Sequence, residues 1–200
     1  MDSELSPSAL VMCGGEGTRL RPAVGETEKP LVAVGGEPMV GRVVDALQAS
    51  SVTTVAAAVS PATPDTAAYL ADRDVRCLDM PGEGYVADLG AALDALSRPV
   101  VTVAADLPLV TAAHIDRAVA TAAGDSLTVC VPASLAAELG VSAETTTDHD
   151  GRTVVPTGLN VVGDGVERTA LRADDRLAFN VNRPGDLRAA RRWLADNSET

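Results

Sequence analysis

Short runs of Val, Ala and Leu recur along this chain, and most give way to a loop and then to a segment with helical spacing. Ser8 to Cys13, Val52 to Val59, Val75 to Leu78, Pro99 to Ala104 and Leu127 to Pro132 read as buried strands. Pro30 to Val34, Val154 to Val162 and Leu177 to Val181 read as further short strands. Between them, Pro38 to Ser50 carries apolar residues at Met39, Val40, Val43, Val44 and Leu47, which is helical spacing with Pro38 in the first turn. Thr63 is placed to cap a helix through Leu70, and Thr111 one to Ala123. Tyr85 to Leu96 and Pro184 to Ala195 read as helices, while 133–152 reads as polar and irregular. Alternation of this kind predicts an α/β fold: a mostly parallel sheet with helices on both faces. No repeat or linker divides it, so residues 1–200 read as one domain, with 1–7 and 196–200 as flexible tails.

In such sheets ligands bind outside the carboxyl ends of the strands. The loops after Cys13, Val59, Leu78 and Ala104 should therefore gather on one edge. The first of them is glycine-rich: Gly14, Gly15 and Gly17, followed by Thr18 and Arg19. Glycines after a strand let the backbone turn tightly and present bare N–H groups to phosphate oxygens. The loop is not a P-loop, because no Lys-Ser/Thr pair closes it, and not a dinucleotide fingerprint, because Leu20 stands where a third glycine is needed. Pro22 opposes a long helix directly after it. Glu16 and Arg21 read as solvated.

Ten residues beyond Arg19 comes Glu28-Lys29-Pro30-Leu31, and Lys29 is the only lysine among 16 basic residues. At the end of the most strand-like run, Asp106 in Ala104-Ala105-Asp106-Leu107-Pro108 offers a carboxylate that can bind Mg²⁺. Together, GGxGTRL and KPL resemble the signature of the MobA-like nucleotidyltransferase superfamily, which includes sugar-nucleotide pyrophosphorylases and molybdenum-cofactor guanylyltransferases. That resemblance implies a Rossmann-like, nucleotide-diphospho-sugar transferase fold. It implies that Arg19 holds the β- and γ-phosphates, that Lys29 stabilises charge on the α-phosphate, and that Asp106 holds Mg²⁺.

Four later segments narrow the resemblance: Ser60 to Pro64, Pro81 to Leu89 (PGEGYVADL), Val155 to Val162 (VPTGLNVV) and Phe179 to Leu187 (FNVNRPGDL). They are similar to the archaeal adenosylcobinamide-phosphate guanylyltransferases. What this implies is transfer of GMP from GTP to adenosylcobinamide phosphate, in cobalamin nucleotide-loop assembly. An acceptor that is already an ionised phosphate needs no strong general base, so His114 and His149 read as structural or solvated. Ser60, Asp79 and Gly82 fall on the nucleotide side, with Asp79 or backbone groups near Ser60 the candidates for reading guanine. Gly158, Asn160, Asn180 and Asn182 fall on the acceptor side. Alternation would point the two asparagines one way, to complete the metal or phosphate site or to cap the last helix. A molybdenum-cofactor guanylyltransferase or another MobA-like NTP transferase, and a non-catalytic nucleotide-binding module, are the competing readings.

Composition excludes other classes. The net charge of −12 opposes nucleic-acid backbone binding, and one Phe, one Trp and two Tyr leave little for base stacking. No apolar run reaches the roughly 20 residues that span a bilayer, and Met1-Asp2-Ser3-Glu4 is too acidic for a secretory signal. A soluble cytoplasmic protein is expected, with a homodimer left open. Acidic residues outnumber basic ones 28 to 16, which suits a halophilic source. Cys13, Cys77 and Cys130 are odd in number and far apart, as buried reduced thiols would be.

Overall fold

In the computed structural model, residues 7–15, 17–73 and 75–197 are described. Glu16 and the tail residues 1–6 and 198–200 lie outside the described residues. Pro7 is buried, and 196–197 continue the last helix.

The strands are β1 (Ser8–Met12), β2 (Ala33–Val34), β3 (Glu37–Pro38), β4 (Thr54–Val59), β5 (Arg76–Asp79), β6 (Val100–Ala104), β7 (Ser126–Pro132), β8 (Thr147–His149), β9 (Arg152–Val162) and β10 (Glu167–Leu171). The helices are α1 (Arg21–Val24), α2 (Met39–Gln48), α3 (Pro64–Ala71), α4 (Tyr85–Asp94), α5 (Ala112–Ala122), α6 (Ala133–Glu138), α7 (Asp175–Ala178) and α8 (Pro184–Asn197). One sheet runs in the order β10-β7-β9-β6-β1-β4-β5, with β8 paired to β9. β1, β4, β5 and β6 are parallel, β10 is parallel to β7, and β9 is antiparallel to both β6 and β7. The expected α/β fold with a mostly parallel sheet is what forms.

Strand alternation explains the layers. Ala9 and Val11 of β1 enter a core with α2, α3 and α5, whereas Leu10 and Met12 face α4 on the other side. Both sets are buried, which is why these runs are apolar throughout rather than every second residue. A third cluster sets α8 against Leu20, Met39, Phe179 and Val181. No helix among the described residues is long and apolar enough to cross a membrane.

Five local readings change. Pro30 to Val34 is a 3₁₀ turn (Lys29–Leu31) followed by β2, because Val34 pairs with Glu37 in a tight two-stranded ribbon. Leu177 to Val181 is not a strand: α7 takes its first half, capped by Asp174 accepting from Arg176 N at 3.0 Å. The polar stretch 133–152 contains α6 and the β8–β9 hairpin. The edge strand β10 escapes periodicity because its segment, Glu-Arg-Thr-Ala-Leu, exposes its first three residues. Thr63 stands at the N-cap of α3, but its hydroxyl bonds back to Ser60.

The free N–H groups of α3 are instead satisfied by Glu28. Its carboxylate accepts from Asp65 N (2.8 Å), Thr66 N (2.7 Å) and the Thr66 hydroxyl (2.6 Å). A carboxylate at a helix N-terminus gains from both the orphan donors and the dipole. The 3₁₀ turn that carries Lys29 is thereby pinned to α3. Glu28→Ala should lower stability by about 1–3 kcal/mol, read as a shifted urea midpoint; an unmoved midpoint would refute this role.

Candidate active site

β1 has β4 on one side and β6 on the other, so the chain reverses its direction of travel across the sheet at β1. A crevice opens at that switch point, outside the carboxyl ends of the strands. It is a cleft of about 360 Å³ lined by Cys13, Gly14, Gly15, Lys29, Gly82, Gly84, Asp88 and Asp106, among others. A second hollow of about 390 Å³ adjoins it, lined by Gly158, Asn160, Asn180, Asn182, Ser142 and Glu144. Ala104 and Asp106 line both, so Asp106 stands at their junction.

At that junction Lys29 Nζ donates to Asp106 Oδ2 at 2.5 Å and to Asn182 Oδ1 at 2.7 Å. Asn182 Nδ2 donates to Asn180 Oδ1 at 2.6 Å, and Asn180 Nδ2 to the Thr157 carbonyl at 3.2 Å. The two asparagines therefore share a direction, although their segment is not a strand. The capping of α8 falls to Asp186, whose Oδ2 accepts from Asn182 N (3.0 Å) and Arg183 N (2.8 Å). Asp186 is only 2% exposed and also accepts from the Ser142 amide and hydroxyl, both at 2.8 Å.

Asp106 Oδ1 is the one buried side-chain oxygen or nitrogen among the described residues with no hydrogen-bond partner. Such an atom is costly unless something occupies its lone pairs. Among the described residues no cluster of three or more His, Cys, Asp or Glu groups forms a metal cage. A lone carboxylate suits Mg²⁺, which takes one or two protein carboxylates and fills its shell with water and substrate phosphates. The bare Oδ1 of Asp106 at the junction is of the kind a divalent cation takes up.

Glycines shape both hollows. Gly17 has φ +62°, and a Cβ there would lie 2.6 Å from Lys29 Cβ. Gly158 has φ +88°, and its Cβ would meet Ala104 Cβ at 2.9 Å. It lies where the β7–β9 register shifts, a bulge that turns β9 toward the end of β6.

The remaining residues singled out by sequence take varied positions. Ser60 is buried, its hydroxyl 3.4 Å from the Gly14 carbonyl. Thr18 is exposed. Arg19 is exposed and bonds Glu144, reaching over the second hollow. Asp79 ends β5 exposed, outside the residues that line either hollow. His114 is structural: Nδ1 accepts from Thr111 N at 3.1 Å in a capping box, and Nε2 lies 3.0 Å from Asp174. His149 lies 3.9 Å from Asp150. The three thiols are free, and burial pushes all of them up, so none is a ready nucleophile.

Glu28, Asp88, Glu144 and Asp186 were not among the sequence candidates. Asp186 carried a signal, an acid three residues into a helix that begins at Pro184. Glu144 carried none, since it lies in the irregular polar stretch. Burial would raise its carboxyl, but hydrogen bonds from Arg183 and Arg19 outweigh that and hold it below the usual carboxylate range.

Comparison with known proteins fits this geometry. The solved inositol-1-phosphate CTP transferase from T. maritima superposes with a TM-score of 0.67 at 14% identity, covering 94% of this chain and 96% of that one. A CMP:2-keto-3-deoxy-manno-octonic acid synthetase complexed with CTP gives 0.67 at 14%, covering 96% and 99%. These likenesses show the fold, a Rossmann-like α/β sheet, and that alone. The description "MobA-like NTP transferase domain" matches residues 9–173. An adenosylcobinamide-phosphate guanylyltransferase from Methanocaldococcus jannaschii is 30% identical over 201 residues, 93% of this chain and 96% of its own. The chain belongs to the MobA-like NTP transferase family and is a nucleotidyltransferase.

Because Gly17 yields space directly to Lys29, Gly17→Ala should displace the lysine and strain the turn. Steady-state kinetics should show turnover falling about tenfold or more, while the strain costs only about 1–2 kcal/mol of stability. Unchanged turnover in a folded variant would separate Gly17 from the site.

Proposed function

We propose that this protein transfers GMP from GTP to adenosylcobinamide phosphate, giving adenosylcobinamide-GDP and pyrophosphate. The observation that carries this reading is the similarity to the Methanocaldococcus guanylyltransferase along nearly the whole of both chains. The paired hollows support it, since a transferase of this kind needs a nucleotide side and an acceptor side meeting at the reacting phosphorus.

In this reading the backbone of Gly14, Gly15, Gly17 and Thr18 cradles the triphosphate, with Ser60 and Gly82 behind it. Arg19 is released from Glu144 to reach the β- and γ-phosphates. Asp106 holds Mg²⁺, which when bound neutralises charge on the triphosphate. Lys29, fixed by Asp106 and Asn182, lies where charge develops on the α-phosphate. Gly158, Asn160, Asn180 and Asn182 form the acceptor floor. An oxygen of the acceptor phosphate attacks the α-phosphorus, its bond to the bridging oxygen breaks, and pyrophosphate leaves. That oxygen is already ionised, so no base is needed, in keeping with two histidines engaged elsewhere. Catalysis is positioning and charge neutralisation.

The continuous sheet supports one catalytic domain. The acidic, lysine-poor composition supports work in the cytoplasm of a halophile.

Incubation with GTP, Mg²⁺ and adenosylcobinamide phosphate should yield adenosylcobinamide-GDP by mass. Product only with molybdopterin as acceptor would transfer the assignment to molybdenum-cofactor synthesis. In calorimetric titration GTP should bind more tightly than ATP, CTP or UTP, and equal affinities would remove the guanylyl assignment. Lys29→Ala should fold normally and lose turnover by about a hundredfold or more; undiminished pyrophosphate release would take Lys29 out of the mechanism.

A further inference from the structure

Asp88 is an unexplained acid in the nucleotide cleft. It belongs to the first turn of α4 and is 4% exposed, yet it lines the cleft beside Gly14, Gly82 and Gly84. Its Oδ1 accepts from Gly82 N at 3.1 Å. Its Oδ2 has no donor among the described residues and lies 3.5 Å from where a Cβ on Gly14 would be. That oxygen lies beside Gly14 in the cleft lining and is accessible from the cleft. A carboxylate so placed accepts hydrogen bonds and donates none. It favours a ligand that brings N–H groups to it and penalises one that brings lone pairs.

Among the common bases, only guanine presents two adjacent donors, N1–H and N2–H, on its pairing edge. Adenine and cytosine offer an amino group beside a ring-nitrogen acceptor, and uracil one N–H between two carbonyls. Asp79, which ends β5, is exposed and outside the cleft lining, and Asp106 is held by Lys29 at the junction of the two hollows. We infer that Asp88 is the specificity-determining residue of the cleft, its free carboxylate oxygen reading the N1–H and N2–H edge of guanine. The inference rests on the guanylyl reading above and assigns the base selectivity to one side chain.

The test is calorimetric, on the full chain, with GTP, ITP, XTP and ATP. ITP lacks the N2 amino group, and XTP replaces it with a carbonyl. Wild-type protein should bind ITP and XTP about tenfold or more weakly than GTP. Asp88→Asn keeps an acceptor for Gly82 N and gains an amide donor, so it should lose the GTP preference and bind XTP more tightly than wild type does. A wild type that prefers GTP over ATP but binds ITP equally well overturns the inference and leaves the guanylyl reading standing. So does an Asp88→Asn variant with the wild-type ratio of GTP to XTP. A wild type with no preference for GTP over ATP fails the guanylyl reading itself. Should the variant not fold, 1-methyl-GTP on wild-type protein decides the matter: weakened binding supports the contact with N1–H, and unaltered binding refutes it.

Discussion

The Lys29 ammonium held between Asp106 and Asn182 is the contact on which the site depends. It joins three segments far apart in sequence: the turn after the glycine loop, the end of β6 and the approach to α8. Lys29 and Asp106 are each mostly buried, with side chains 14% and 16% exposed. A buried pair of this kind adds little net stability, but removal of either partner leaves an uncompensated charge. Its value lies in placement. Lys29 meets one Asp106 oxygen while the other stays bare, so cation and anion chemistry stand side by side where the two hollows join.

Around this contact, other carboxylates do the fixing. Glu28 ties the lysine's turn to α3, so Lys29 projects from a held backbone rather than a free loop. Asp186 gathers Asn182, Arg183 and Ser142, which sets the far wall and the loop leading to Glu144. Glu144 then bonds Arg183 and, across the second hollow, Arg19 of the glycine loop. An acidic chain with one lysine thus uses a few of its acids at helix ends and in loop contacts. The glycines supply the complement, since Gly17 and Gly158 are places where a side chain would crowd Lys29 or Ala104.

Sequence reasoning succeeded where chemistry is local. A glycine run after a strand, a lone lysine and an aspartate at a strand end are legible because neighbours in the chain are neighbours in the loop. It also put Gly158, Asn160, Asn180 and Asn182 in one place, and they line one hollow. It failed where burial had to choose between similar residues. Asp79 and Asp88 each follow a short apolar run, but Asp79 ends β5 exposed whereas the first turn of α4 puts Asp88 into the cleft lining. Leu177 to Val181 looked extended because it is apolar, but Asp174 caps a helix there and Phe179 is claimed by the core beside Trp193.

By itself the sequence determined the alternation of strands and helices, and hence the layered sheet, because apolar runs of five or six residues must be buried on both faces. It pointed too to the edge where Gly14, Lys29 and Asp106 fall, and these three line one cleft. Only the tertiary structure decided which acids line the hollows, which cap helices and which tie loops together. Side-chain direction and burial follow from how α3, α4 and α8 pack on the sheet, and no short window of sequence contains that packing.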